Sequence, residues 1–296
     1  MDEVKTTTSS PQDKKKGGAL ITRTLTGIVF VLVMVGGIVY DYSTLGVLFT
    51  LITALSVHEF CTLVSEHDNV EVNAMICTVS GAYLFLAFFG YCSGLAPTAA
   101  VFIPYLISIV YLLISELYLQ RENPLGNWAY TMLSQMYVAL PFSLIPALAF
   151  MTDPAHPMEI HYRWIFPLAV FIFLWTSDTG AYCFGSLFGK HRLFERISPK
   201  KSWEGSIGGA FVSLVAACIV AHFDQSLSLL QWLGFAIVVV IFGTWGDLVE
   251  SLMKRQLGIK DSGNFLPGHG GLLDRFDSSL LTIPAVTVYL YTLMIL

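Results

Sequence analysis

Charge is scarce in this sequence: only 12% of its residues are Asp, Glu, Lys or Arg, against 55% hydrophobic. A soluble domain carries about 25% charged residues, so an ordinary water-facing surface is excluded. Other absences narrow the chemistry. No G-x-x-x-x-G-K-[ST] loop occurs, which excludes a P-loop nucleotide site, and neither G-x-S-x-G nor H-E-x-x-H appears, which disfavours an activated-serine hydrolase and a zinc protease. The five cysteines (Cys61, Cys77, Cys92, Cys183, Cys218) form no C-x-x-C pair and sit in or beside apolar runs, so they read as small hydrophobic packers. No small-residue A-x-A cleavage site follows the first apolar run, which reads as a retained helix. There is no internal repeat and no separate soluble domain.

What is present is a series of apolar runs, each near the 20 residues that a helix needs to cross about 30 Å of hydrocarbon. They lie near 24–40, 44–64, 74–92, 98–119, 127–151, 164–186, 206–222, 229–252 and 278–296. The expected fold is therefore all-α and polytopic, with about nine transmembrane helices. Residues 1–18, rich in Thr, Ser and Lys, read as a disordered cytoplasmic tail, and 19–296 as a single transmembrane domain. An inside N-terminus leaves only Arg163 of the 16 Lys and Arg residues on the far side, a split of 15 to 1. Pro104, Pro141 and Pro146 are expected to kink their helices. Nucleic acid is not an expected partner, because the basic residues lie beside membrane helices and alternate with acids.

The scarce polar residues are concentrated. Ser251–Asp277 holds Lys254, Arg255, Lys260, Arg275, Asp261, Asp274, Asp277, His269 and five glycines within 27 positions. Just upstream, Asp247, Glu250, Ser251 and Lys254 are spaced three, four and seven apart and share one helix face. Glycines and Pro267 make 258–271 a loop, in which Gly270-Gly271 lets the backbone approach a ligand. Asp178, within Ser177-Asp178-Thr179-Gly180-Ala181-Tyr182, is an intramembrane acid and hence a site candidate. Ser198-Pro-Lys-Lys-Ser-Trp-Glu-Gly205 reads either as an anion cradle at a helix N-terminus or as ordinary positive-inside charge. Glu59 reads equally as an acid snorkelling to the interface or as one facing a polar cavity, and Glu116 as interfacial.

Four aspartates near one membrane face repel one another unless a cation lies between them. Carboxylate oxygens of this kind suit Mg²⁺, which takes one or two carboxylates and completes its shell with water and substrate phosphate. The interleaved lysines and arginines suit the phosphates themselves. Together they point to a metal–phosphate site.

The stretch Ser251–Asp277, written S-x-x-K-R-x₄-K-D-x-G-x₂-L-P-G-H-G-G-x-x-D-R-x-D, resembles the signature of the integral-membrane phosphatidate cytidylyltransferases, or CDP-diacylglycerol synthases. S-P-K-K-S-W-E-G at 198–205 and S-D-T-G-A-Y at 177–182 are similar to that family as well, so the likeness is strong over 175–277. It implies that CTP and phosphatidate give CDP-diacylglycerol and pyrophosphate in phospholipid biosynthesis, with Mg²⁺, one ion or more, as cofactor. It implies further a polar cavity on the cytoplasmic side of a bacterial inner membrane, reached by lipid from the bilayer, with a homodimer as one possible assembly. On this footing Asp247, Asp274, Asp277, Asp178 and Glu250 are metal candidates, the first two foremost. Lys254, Arg255, Ser251 and Arg275 are catalytic candidates, and Lys200, Lys201, Ser202, Lys260, His269, Gly270 and Gly271 bind substrate. Two rivals stand beside this reading: a CTP-dependent polyprenol or lipid kinase, and a cation-coupled transporter in which the acids form a relay.

Overall fold

A computed structural model describes the backbone of residues 11–150, 152–153, 156–263 and 270–295, and the side chains of 24–150, 160–263 and 270–294. Among the described residues helices dominate: α1 Pro11–Val39, α2 Tyr42–His67, α3 Ala74–Cys92, α4 Ala99–Leu119, α5 Pro124–Ala149, α6 Ile165–Phe188, α7 Trp203–Phe223, α8 Leu229–Gln256 and α9 Leu273–Ile295. Seven of them, α2 to α8, are long and apolar enough to cross a membrane. The apolar part of α1 is the shorter Thr24–Val39, and α9 carries Asp274, Arg275 and Asp277 in its first turns. The chain is thus an all-α polytopic membrane protein. Residues 1–10 of the expected tail lie outside the described residues, and α1 already begins at Pro11.

Two short antiparallel hairpins accompany the helices, β1 Thr152–Asp153 with β2 His156–Ile160 and β3 Arg192–Phe194 with β4 Ser198–Ser202. The second hairpin pairs Arg192 with Ser202 and Phe194 with Ser198, and it delivers the chain to the start of α7.

Helix ends follow capping chemistry more closely than apolar run length. Helix α7 starts at Trp203, three residues before the expected 206, because the Ser202 hydroxyl accepts from Gly205 N at 3.1 Å. Helix α8 ends in a Schellman arrangement: Ile259 N donates to Lys254 O at 3.0 Å and Gly258 N to Arg255 O at 3.2 Å, with Gly258 at φ +72°. The prolines divide in their effects. Pro104 occupies the first turn of the α-helical part of α4, behind a 3₁₀ turn at Ala99–Phe102, and so starts a helix where a kink was expected. Pro141 follows a π-helical turn, Ser134–Ala139, and Pro146 opens the short last segment of α5, so this helix is interrupted.

Glycines set how closely the helices around the polar stretch approach. A Cβ on Gly209 would lie 2.5 Å from Ser177 O, and one on Gly205 2.9 Å from Ala181 O, so α6 and α7 touch backbone to backbone. A Cβ on Gly246 would lie 2.8 Å from Asp277 O, which brings the first turns of α9 against α8. Phe276 is 1% exposed and packs on Phe142, Phe30 and Phe171 at centroid distances of 5.3, 5.7 and 6.2 Å, pinning α9 to α5, α1 and α6. These contacts place the ends of α6, α7, α8 and α9 side by side.

Candidate active site

Where those ends meet, Asp178, Asp247, Asp274 and Asp277 line a single cavity of about 340 Å³. Trp175, Arg275 and Ser278 complete its polar wall, and Thr26, Gly27, Phe30 and Val31 of α1 cover it. A second cavity of about 340 Å³ lies between α6, α7 and α8, lined by Ser177, Asp178, Tyr182, Lys200, Lys201 and Ser202 among others. Asp178 belongs to both. An ion pair between Lys201 and Asp247 joins the hairpin to α8, so the described parts of 177–182, 198–205, 247–263 and 270–277 come together at one place.

The acids are not equivalent. Asp274 has both carboxylate oxygens engaged: Oδ1 accepts from Lys254 Nζ at 2.7 Å, and Oδ2 from the N–H groups of Ser262 at 2.9 Å and Gly271 at 3.0 Å. Lys254 also reaches Glu250 Oε2 at 3.0 Å. Glu250 is fully buried, is absent from the cavity lining, and its Oε1 has no hydrogen-bond partner among the described residues. The i,i+4 pairing on α8 is as its spacing predicts, since Ser251 Oγ likewise donates to Asp247 Oδ1 at 3.1 Å. Asp277 Oδ1 accepts from Ser278 N at 2.5 Å. Asp178 is exposed to the cavities.

Among the basic candidates, Lys200 lines the second cavity and Arg275 the first. Arg255 donates to Ile259 O at 3.2 Å, at the end of α8. Lys260 is exposed, and His269 lies outside the described residues. Ser202 is 4% exposed and lines the second cavity, and its hydroxyl oxygen accepts from Gly205 N, so it shapes the start of α7 beside Lys200 and Lys201. Next to it, Glu204 accepts from His191 Nδ1 at 2.5 Å and from the N–H groups of Lys190 and His191 at 3.2 Å, which holds the hairpin against α7.

The glycine pair Gly270-Gly271 packs close to two carboxylates. Gly270 has φ +81°, and a Cβ there would lie 2.8 Å from Asp274 Oδ2; at Gly271 it would lie 1.7 Å from Glu59 Oε1. The room these glycines leave is filled by carboxylates of the protein itself.

A family model described as the cytidylyltransferase family matches residues 21–293. The chain belongs to that family. A Staphylococcus haemolyticus protein named phosphatidate cytidylyltransferase is 40% identical over 187 residues, which are 62% of this chain and 68% of that protein. A Staphylococcus saprophyticus protein of the same name is 38% identical over the same shares. A Staphylococcus aureus protein, also so named, is 48% identical over 124 residues, 42% of this chain and 48% of that protein. The chain thus spans about half the length of the Staphylococcus aureus relatives it matches.

For a member of the cytidylyltransferase family, the donor chemistry of the first cavity can be tested against a divalent cation. Among the described residues no three His, Cys, Asp or Glu side chains form a ready metal cage. Mg²⁺ does not require one, because it binds through one or two carboxylates plus water and substrate phosphates. Asp247 and Asp277, with Asp178 alongside, supply hard oxygens on one cavity wall and so fit.

Proposed function

We propose that the chain transfers the cytidylyl group of CTP to phosphatidate, giving CDP-diacylglycerol and pyrophosphate, with Mg²⁺ as the required cation. The observation that carries this reading is the pair of cavities sharing Asp178: a carboxylate-lined one suited to a cation, and beside it one bearing Lys200 and Lys201, suited to an anion. The relatives named phosphatidate cytidylyltransferase support the same chemistry. The site lies at the cytoplasmic face of a bacterial plasma membrane, in a nine-span arrangement with the N-terminus inside. The 15-to-1 partition of the 16 Lys and Arg residues supports that orientation.

In the reaction a phosphate oxygen of the lipid attacks the α-phosphorus of CTP, one P–O bond forms, and the bond to the β-phosphate oxygen breaks. The electron pair leaves with pyrophosphate. A phosphomonoester has its second pKa near 6, so the nucleophile is largely dianionic at neutral pH and needs no general base. The protein's task is to bring two polyanions together and to stabilise the departing charge. Lys200 and Lys201 draw one phosphate group to the start of α7, whose dipole favours negative charge. Arg275 lines the acid cavity, where its guanidinium would meet a substrate phosphate. Asp247, Asp277 and Asp178 would hold Mg²⁺, which when bound neutralises phosphate oxygens and favours departure of the leaving group. Asp274, neutralised by Lys254, shapes the cavity wall.

Labelled CTP tests the proposal with purified protein in detergent. Label from the α-phosphorus should appear in the lipid product, and a chelator should abolish its transfer. Transfer of the γ-label would establish a kinase, and loss of all turnover without a cation gradient would favour transport.

A further inference from the structure

Glu59 lies on α2, far in sequence from the polar stretch, yet its carboxylate is spent entirely on it. Oε1 accepts from Ser262 Oγ at 2.8 Å, and Oε2 accepts from Leu272 N at 2.8 Å and Leu273 N at 3.3 Å. Leu272 and Leu273 are where α9 starts, so Glu59 supplies from another helix the acceptor that a capping residue supplies locally. Ser262 is also held by its N–H to Asp274 Oδ2 at 2.9 Å, and the same oxygen takes Gly271 N at 3.0 Å. Two carboxylates therefore bridge residues 262–263 to residues 270–273, the two stems flanking 264–269. Both stems have yielded space for Glu59: a Cβ on Gly263 would lie 2.8 Å from its Oε1, and one on Gly271 1.7 Å.

We propose that Glu59 is a positioning residue of the site, a clasp that joins the two stems, fixes the start of α9 and thereby places Lys260, Arg275 and Asp277. This rests on the cytidylyl-transfer reading for its assay, but not for its geometry. Glutamine can keep the clasp, with its carbonyl oxygen accepting from Leu272 N and its NH₂ donating to Ser262 Oγ, a hydroxyl that also accepts. Alanine cannot. A residue needed only for its charge, or only for the fold, would not separate these two substitutions by substrate affinity.

The experiment compares purified wild type, Glu59→Ala, Glu59→Gln and Gly271→Ala in detergent, measuring kcat and KM for CTP and the thermal midpoint. The expected result is a KM for CTP raised at least tenfold in Glu59→Ala, within threefold of wild type in Glu59→Gln, and raised in Gly271→Ala, whose methyl group displaces the carboxylate. Glu59→Ala with unchanged KM and kcat would overturn the proposal. So would Glu59→Gln as impaired as Glu59→Ala, or losses in both that simply follow a fallen thermal midpoint. If wild type itself makes no CDP-lipid, the functional reading fails instead. Protection of 262 and 271–273 from backbone hydrogen exchange, lost in Glu59→Ala and kept in Glu59→Gln, then still decides the clasp.

Discussion

Replacing Lys254 by methionine tests what the site's polar core is for. The ammonium group is 12% exposed on its side chain and sits 3.0 Å from Glu250 and 2.7 Å from Asp274, whose side chains are 0% and 8% exposed. Each pair at such a distance is attractive by several kcal/mol at an effective dielectric near 20, but desolvation consumes much of that gain. The asymmetry lies in breaking it: deleting one partner of a buried pair costs about 3–5 kcal/mol, because the remaining charge stays in an apolar setting. By the scaling of soluble domains this lowers the thermal midpoint by roughly 6–20 °C. Lys254→Met should therefore show a large fall in midpoint, read by heating detergent-solubilised protein and following aggregation. Adding Glu250→Gln should recover a good part of the loss, since it removes the stranded charge. The two substitutions are then non-additive, as expected for contacting groups. A Lys254→Met protein as stable as wild type but inactive would refute the reasoning. It would show that Lys254 meets substrate phosphate and has no role in neutralising Glu250 and Asp274.

Further outcomes follow from the same geometry. Asp247→Asn and Asp277→Asn should each lower kcat by about 100-fold or more while the protein still inserts, checked by turnover at saturating Mg²⁺ alongside membrane yield. Ser202→Ala should cost about 1 kcal/mol of stability through the lost cap, and Ser202→Asp should cost much less, both read from thermal midpoints. Gly208→Val should destabilise by about 1–3 kcal/mol, because a Cβ there already lies 2.3 Å from Phe184; a midpoint unchanged from wild type would contradict the close α6–α7 packing.

Much of the architecture was legible in the sequence because a membrane imposes one dominant rule, an apolar run of a given length, and the observed helices fall on those runs. The early starts of α7 and α9 were less visible. They depend on Ser202, Glu59 and Asp274 satisfying backbone N–H groups, and Glu59 acts across more than 200 positions of sequence. The four aspartates were legible as a group because like charges near one membrane face demand a shared explanation. Their division of labour was not, since helix spacing tied Lys254 to Glu250 but said nothing of Asp274 on the next helix. The glycine pair 270–271 was legible as a place where space is left, but sequence does not show that Glu59 and Asp274 lie against it. Glu59 was legible as an acid at the end of an apolar run, equally open to the interface or to a polar cavity, and only its bonds to Ser262 and Leu272 decide between the two.

The central claim is that this site moves the cytidylyl group, and the fate of the phosphorus atoms of CTP tests it most directly. With phosphatidate and Mg²⁺, the account predicts that α-labelled CTP yields labelled lipid, that γ-labelled CTP yields labelled pyrophosphate, and that chelation stops both. Label from the γ-position in the lipid, with none from the α-position, would contradict it.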